Sequence, residues 1–137
     1  MFDLRIELKK VALKVQEILH KLGMIADYVV EHSTSGAWQY RKWASGMAEC
    51  WGKYSVTTAG TNGVKATTVT LPITFNNNNY FIQYSKSSSG SSYVSHQENV
   101  HPETYGRTTT QFILRTFNSS TVTVTQEYHI YVHGTWK

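Results

Sequence analysis

The chain has 137 residues, which is room for one domain and a short appendage, and its 40% hydrophobic content is typical of a folded protein. The formal charge is only +4, and five of the 13 Lys and Arg residues lie in the first 21 positions, so the sequence has no basic stripe suited to nucleic acid. A single cysteine excludes an internal disulfide framework, and no apolar run approaches the ~20 residues needed for membrane insertion.

The first segment of the chain carries a heptad pattern. Apolar residues recur with 4-3 spacing at Leu4, Leu8, Val11, Val15, Ile18, Leu22, Ile25 and Val29. This repeat is typical of a coiled coil, because it keeps one narrow apolar seam against a partner while the helices supercoil. β-Branched residues occupy most d positions of the heptad, which favours three or four strands over two. We therefore predict an oligomeric α-helical stalk over residues 1–31.

Some residues complicate the heptad pattern. Gly23 costs about 1 kcal/mol relative to Ala in a helix interior, and it can mark a break followed by a looser neck over residues 24–31. Further apolar residues at Ile6, Leu13 and Leu19 broaden the seam, which fits more than two strands or a docked domain. An amphipathic helix packed on its own domain is the alternative interpretation.

From residue 32 onward the composition changes to Thr, Ser, Asn, Gly and Tyr, and the pattern becomes one of strands and turns. Aromatic strands over Trp38–Trp43 and Met47–Val56 flank a tight turn at residues 44–46. Further strands are predicted at 65–71, 80–85, 108–118, 120–126 and 128–137, and residues 93–106 are predicted to be a strand that runs into an irregular loop. With no second helix, this pattern predicts a mainly β, antiparallel sandwich or barrel over residues 32–137.

The hairpin over residues 38–53 holds three of the four tryptophans and the single cysteine. Side chains alternate between the two faces of a strand, and aromatic residues occur on both faces of this hairpin. One face is therefore core, and the other is covered by a neighbouring subunit or left as a platform for a sugar ring. We favour core and subunit contact, because the hairpin lies next to the stalk.

Catalytic groups are scarce in the predicted β domain. From residue 33 onward there is no Asp, and the only carboxylates of side chains are Glu49, Glu98, Glu103 and Glu127. Hydrolysis of a glycan normally uses a pair of carboxylates, and only Glu98 and Glu103 share a loop. Cys50 fits a small buried strand residue better than a nucleophile. The sequence therefore predicts a protein that is not an enzyme.

Histidine spacing argues against a metal site within one chain. His129 and His133 would face the same side of a strand, but four residues separate them by about 13 Å. The segment 96–103 contains suitable ligand types without matching a rigid ligand motif. No metal and no cofactor is predicted, although one His from each of three subunits could meet an ion on a threefold axis.

Four segments in chain order carry a resemblance to known proteins: WQYRKWASGMAECWGKY, LPITFNNNNYFIQYS, TTTQFILRTFN and YHIYVHGTWK. This series resembles the C-terminal domains of tailed-phage and prophage tail-fibre proteins, and is more distantly similar to the H-type lectin domain. The resemblance covers residues 36–137 and implies a homotrimeric, H-type-lectin-like β-sandwich at the tip of a tail fibre. It also implies a virion protein that acts outside the host cell, binds bacterial cell-surface carbohydrate and associates with other tail-fibre or baseplate proteins.

The resemblance transfers no set of sugar-binding residues, so we predict the ligand site from the loops, which carry binding function on rigid scaffolds. The loop over residues 93–107 combines rings, charges and amides that suit a hydroxyl-rich ligand. The predicted ligand-binding residues are Tyr93, His96, Glu98, His101, Tyr105 and Arg107.

Alternatives to this site remain open at the level of sequence. The loop over residues 93–107 could be a solvated polar surface, and the strand over residues 128–133, with two Tyr and two His, is a second candidate that could equally line the subunit interface. For the whole chain, the alternative function is a purely structural fibre or baseplate component without a glycan site.

Overall fold

The computed structural model describes residues 3–87 and 100–137. In these ranges the elements follow in the order α1 (Leu4–Lys21), β1 (Val29–Ser35), β2 (Trp38–Trp43), β3 (Met47–Thr58), β4 (Gly63–Thr70), β5 (Phe81–Ser87), β6 (Val100–Tyr105), β7 (Gln111–Asn118) and β8 (Val124–Thr135). No helix in the described ranges is long and apolar enough to cross a membrane.

Helix α1 is bounded by two capping motifs. At its start, the carboxylate of Asp3 accepts a backbone hydrogen bond (2.9 Å), which is the role of an N-cap residue. At its end, the Met24 amide donates to the Leu19 carbonyl (2.9 Å), and the Gly23 amide donates to the His20 carbonyl (3.0 Å). These two bonds form a Schellman motif, which requires a left-handed residue, and Gly23 supplies it with a φ of 70°.

The prediction that the helical seam continues through Val29 is wrong, and the break that the sequence allowed at Gly23 is present. Ile25 lies in the segment that connects α1 to the sheet, and Val29 is the first residue of β1. The left-handed Gly23 outweighs the apolar spacing, because it bonds the last carbonyls of the helix and turns the chain away from the helix axis. Strand β1 therefore begins inside the segment that the sequence assigns to the stalk.

The apolar seam of α1 is exposed in the single chain. No side chain of the helix is buried. The seam residues that stay in the helix or at its C-cap are 48–68% exposed: Leu4, Leu8, Val11, Val15, Ile18 and Leu22. Leu13 does not broaden this seam, since it lines a shallow groove with Tyr28 and Val30 of its own chain. Within the described part of the chain nothing covers the seam, and pairing of helices into a coiled coil stays a prediction.

The strands form two antiparallel sheets that pack face to face. The five-stranded sheet has the order β1-β2-β3-β8-β5, and the three-stranded sheet has the order β4-β7-β6. The core lies between them, where Cys50, Tyr128 and Val132 of the larger sheet meet Phe112 and Leu114 of the smaller one. The prediction of a mainly β, antiparallel fold is confirmed, and inward and outward residues alternate along each central strand.

Strand β8 is one continuous strand of 12 residues, whereas the sequence pattern predicted a break near residue 127. Gln126, next to the predicted break, is a polar residue at a position that alternation assigns to the core. Gln126 is fully buried, and its side-chain amide donates to the Ser87 carbonyl (2.8 Å) and the Glu127 carbonyl (2.9 Å). Hydrogen bonds thus offset much of the cost of burying a polar side chain without interrupting the strand.

The two ends of the sandwich are built differently. At the proximal end, next to α1, the Trp136 amide donates to the Gly46 carbonyl (2.8 Å), and the Asp27 carboxylate accepts from the Ser45 amide (3.1 Å). These bonds tie the C-terminus and the segment after α1 to the β2–β3 turn. The distal end contains the last residue of β5 and the first residue of β6, which flank the residues outside the described ranges.

Asn118 organises the distal end. Its side chain is fully buried and its amide donates to the carbonyls of Thr58 (3.1 Å) and Val122 (2.8 Å). Its carbonyl oxygen accepts from the backbone amide (3.0 Å) and the hydroxyl (2.7 Å) of Ser120. Asn118 also begins an Asn-Ser-Ser glycosylation pattern, but a buried amide with these partners is not available for modification in the folded protein.

We expect Asn118→Ala to lower the free energy of unfolding by about 3 kcal/mol, because several buried groups lose their hydrogen-bond partners together. Urea unfolding at one fixed protein concentration measures the change. Asn79→Ala is the matched control, since Asn79 is exposed, and it should change the value by less than about 0.5 kcal/mol. Equal effects of the two substitutions would contradict the role given to Asn118.

Candidate functional site

Half of the predicted ligand-binding residues can be located. Tyr93, His96 and Glu98 lie outside the described residues. His101 and Tyr105 are exposed on β6. Arg107 follows β6, where its guanidinium donates to the Tyr80 carbonyl (2.8 Å) and lies 5.8 Å from the Tyr80 ring, so it packs a buried tyrosine of the fold.

The irregular loop predicted for this region is wrong for residues 100–105, which form strand β6. Every residue of β6 has a register partner in β7, beginning with Val100 opposite Asn118. In the sequence this edge strand looks like a loop because its outward residues are polar and one inward position is Pro102. Proline is tolerated on an edge strand, where a backbone amide is not needed for a second neighbour.

The outward residues of β6 differ in how much they contact other side chains of the sheet. Glu103 lies between His101 and Tyr105 and forms an ion pair with Arg115 of β7 (2.5 Å). The Arg115 guanidinium also lies 5.7 Å from the Tyr105 ring. His101 and Tyr105 share one face of the strand but are about 13 Å apart, so they do not form a single compact pocket.

A row of four side chains crosses the outer face of the five-stranded sheet. The residues are Gln39, Trp51, Tyr131 and Gln83, each the register partner of the next, from strands β2, β3, β8 and β5. We call this set the outer row. Because neighbouring strands lie about 4.8 Å apart, the row is about 14 Å long. It therefore places two aromatic rings side by side between two amides.

The outer row crosses a shallow trough of about 560 Å³. This volume lies within the ~300–1,000 Å³ of typical ligand sites. Lys53, His129 and Ser85 line the trough on the distal side of the row. Within the described part of the chain, the side-chain amides of Gln39 and Gln83 make no hydrogen bond. Each amide can therefore donate to and accept from a ligand.

A polar network on the same face of the sheet, on the proximal side of the outer row, holds the aromatic residues of the row in place. The buried carboxylate of Glu49 accepts hydrogen bonds from the Arg41 guanidinium (Nε, 2.8 Å) and from the Tyr131 hydroxyl. The same guanidinium lies 5.3 Å from the Trp43 ring and 5.1 Å from the Trp51 ring, at cation–π distance. The network spans three strands and fixes both Trp51 and Tyr131, which a binding surface needs for pre-organisation.

Charged side chains border the trough on its distal side. Lys53 and His129 are direct register partners on β3 and β8. Glu127 carries an oxygen that lies 3.0 Å from the His129 Nε2 and 3.9 Å from the Lys53 Nζ, and the Ser87 hydroxyl donates to it (2.7 Å). The hydrogen bond from Ser87, followed by that from His129, lowers the pKa of Glu127, so its carboxylate is ionised at neutral pH.

Other candidate chemistry finds little support in the described residues. They contain no group of three or more His, Cys, Asp or Glu side chains placed to hold a metal ion. Cys50 is fully buried, and this burial raises the pKa of its thiol to about 12. A neutral, inaccessible thiol is a poor nucleophile, which agrees with the structural role predicted for Cys50.

The sequence did not reveal the outer row, although it contained part of the signal. Alternation predicts that Trp51 and Lys53 share a face, and that His129, Tyr131 and His133 share a face. The register that sets Trp51 beside Tyr131 depends on a long-range pairing that no local pattern encodes. The second candidate strand, residues 128–133, contributes His129 and Tyr131 to the trough, whereas Tyr128 points into the core.

Two solved structures share this fold. An N-truncated R1-type pyocin tail fiber matches with a TM-score of 0.61 and 12% sequence identity, covering 87% of this chain and 94% of that chain. A fragment with the C-terminal residues of the P. aeruginosa R1 pyocin fiber matches with a TM-score of 0.60 and 12% identity, covering 85% of this chain and 30% of that chain. This chain therefore shares its fold with these two fiber structures.

A family model defines the class further. The family described as "Putative tail fiber protein gp53-like, C-terminal" matches residues 42–133, which is more than half of the chain. This chain belongs to that family, and the resemblance to tail-fibre C-terminal domains is confirmed. The comparison with curated proteins gives no match.

Tyr131 makes the stability of the fold depend on pH in the alkaline range. Burial, and secondarily the hydrogen bond to Glu49, raises the pKa of Tyr131 to about 12, whereas an unfolded tyrosine has a pKa of about 10. The stability from the protonated hydroxyl is therefore complete below pH ~10 and is lost as the pH rises toward 12. We expect the melting temperature to fall in this window, and to fall less steeply for Tyr131→Phe.

Circular dichroism melts between about pH 9 and 12 test this expectation. Tyr105→Phe, on the exposed face of the other sheet, is the control and should keep the slope of the parent protein. Parallel slopes for Tyr131→Phe and the parent protein would show that the hydroxyl of Tyr131 carries no such linkage.

Proposed function

We propose that this chain is a homotrimeric, non-enzymatic receptor-binding tip of a phage tail fibre, and that it recognises bacterial cell-surface carbohydrate. The observation that carries the proposal is the outer row, in which two fixed aromatic rings lie between two amides that have no hydrogen-bond partner among the described residues. Sugar rings present C–H faces that stack on aromatic rings, and their hydroxyls bond to amides. Membership of a tail-fibre family supplies the biological setting.

The exposed seam of α1 supports assembly into a trimer. A helix of 18 residues is about 27 Å long at ~1.5 Å per residue. Three such helices joined through their seams would hold three β-sandwiches together on one repetitive surface. Each weak sugar contact then raises the effective concentration for the next one, so the assembly binds with avidity.

The proposal also gives a place to the residues predicted from the sequence. On an assembled fibre, His101 and Tyr105 offer an exposed imidazole and an exposed ring on the three-stranded sheet. His101 and Tyr105 are therefore a second candidate contact with the cell surface, whereas Tyr93, His96 and Glu98 lie outside the described residues. Other tail-fibre or baseplate proteins of the virion are the proposed protein partners of this chain.

We expect the chain to form a species of three times the 15.6 kDa monomer mass in multi-angle light scattering. Val11→Asp should convert it to monomers, because a carboxylate cannot be buried in the seam without a partner. Lys9→Asp places the same residue type outside the seam on the same helix and should leave the trimer intact. A parent protein that elutes as a monodisperse monomer would rule out the trimeric tip.

We expect Trp51→Ala to weaken binding of the trimer to its host cells, or to their isolated surface polysaccharide, by about tenfold or more, since a stacking ring is worth a few kcal/mol. Phe117→Ala removes an exposed ring from the other sheet and serves as the control. Circular dichroism confirms that both variants are folded.

A different pattern of losses would relocate or remove the site. Loss of binding in His101→Ala and Tyr105→Ala, with Trp51→Ala unchanged, would move recognition to β6 and its neighbouring residues. No binding of the parent trimer to any host surface would favour a purely structural fibre component.

A further inference from the structure

The trough that contains the outer row is lined by cationic rather than anionic side chains. Of the described residues that line it, the ionisable ones are Lys53, His129, Tyr84 and Tyr131, and none of them is a carboxylate. Tyr131 keeps its proton at neutral pH, because burial and, secondarily, the hydrogen bond to Glu49 raise its pKa. The ammonium group of Lys53 is therefore the fixed charge of the lining at neutral pH, and the imidazole of His129 lies beside it as a hydrogen-bonding group.

We propose that the trough selects an acidic oligosaccharide, whose carboxylate or phosphate group binds between Lys53 and His129 while its sugar rings stack on Trp51 and Tyr131. This inference rests on the proposed function and specifies the class of ligand that the same site takes.

The positions of Lys53 and His129 suit one shared anion. As direct register partners their Cβ atoms are about 5 Å apart on the same face of the sheet. The side chain of Lys53 is 67% exposed and that of His129 is 46% exposed, so both can reach a ligand in the trough. A charge-assisted hydrogen bond from either nitrogen to an anion is about twice as strong as a neutral one.

Glu127 competes with the ligand for these two nitrogens. Glu127 lies two register positions farther along the strands, opposite Ser55, and does not line the trough. It holds the His129 nitrogen at 3.0 Å but the Lys53 ammonium only at 3.9 Å. The weaker of these contacts leaves the Lys53 ammonium available to an incoming anion.

The shape of the site sets the length and direction of the ligand. The outer row is about 14 Å long, which exceeds one sugar ring, so the site takes several linked sugars. The cationic pair lies on the distal side of the row, next to its two aromatic members. An acidic substituent on one sugar therefore fixes the register of the whole oligosaccharide.

The test is an array of bacterial surface polysaccharides, each printed in native, carboxyl-reduced and dephosphorylated form, probed with the trimer. We expect the bound polysaccharides to lose about tenfold in apparent affinity in one treated form. Loss on carboxyl reduction identifies a uronate-type ligand, and loss on dephosphorylation identifies a phosphate substituent. Retention of binding in both treated forms would overturn the inference and leave the proposed function standing.

Two substitutions of opposite effect exclude a merely structural role. Lys53→Gln should weaken binding to the native polysaccharide about tenfold and leave binding to the neutralised form within about twofold. Glu127→Gln should strengthen binding to the native form, because it removes the competing charge. Lys65→Gln removes the same charge from the exposed edge of the other sheet and should change neither.

The results distinguish a failure of the charge preference from a failure of the proposed carbohydrate-binding function. Equal effects of Lys53→Gln on native and neutralised polysaccharides would overturn the charge preference. An array on which the parent trimer binds no polysaccharide in any form would contradict the proposed function, and with it the inference.

Discussion

The pairing of β3 with β8 is the constraint on which the rest of the structure depends. The two strands match over twelve residues, from Met47 opposite Thr135 to Thr58 opposite Val124. This ladder forms the middle of the larger sheet, so it sets the positions of β2 on one side and β5 on the other. A shift of one residue would exchange the core face for the outer face along the whole strand. The packing of the core and the geometry of the trough are therefore fixed by one register.

Much of the fold is local in origin, and the sequence predicted that part. The β2–β3 hairpin follows from two aromatic runs and a glycine-containing turn, and the start of α1 follows from the heptad pattern. The end of α1 was predicted eight residues too late, because apolar spacing describes the faces of a helix and not its stop signals. Gly23 was recognised as costly in a helix interior and as a place where the helix can break. The Schellman motif at Gly23 sets the C-terminal boundary of α1.

The candidate site was harder to predict than the fold, since it depends on contacts between distant segments. A predicted loop became the edge strand β6 because Val100 and its inward neighbours pair with β7. In the same way, the partners of Trp51 come from residues far along the chain. Sequence alternation predicted which side chains of one strand share a face, but only the assembled sheet shows which side chains of different strands are neighbours.

Inward and outward residues alternate along the central strands of the larger sheet, and the two sets are under different structural constraints. On β3, Cys50 is enclosed by the core, and a side chain at Gly52 would collide with the Ala37 carbonyl at 2.8 Å and the Trp38 ring at 3.0 Å. Trp51 lies between them in sequence but faces outward, so neither the packing of the core nor the close contact at Gly52 limits its side chain. Substitutions of the outward residues can therefore change what the sheet contacts, while the inward residues maintain the scaffold. One architecture can thus diversify what it contacts without being rebuilt.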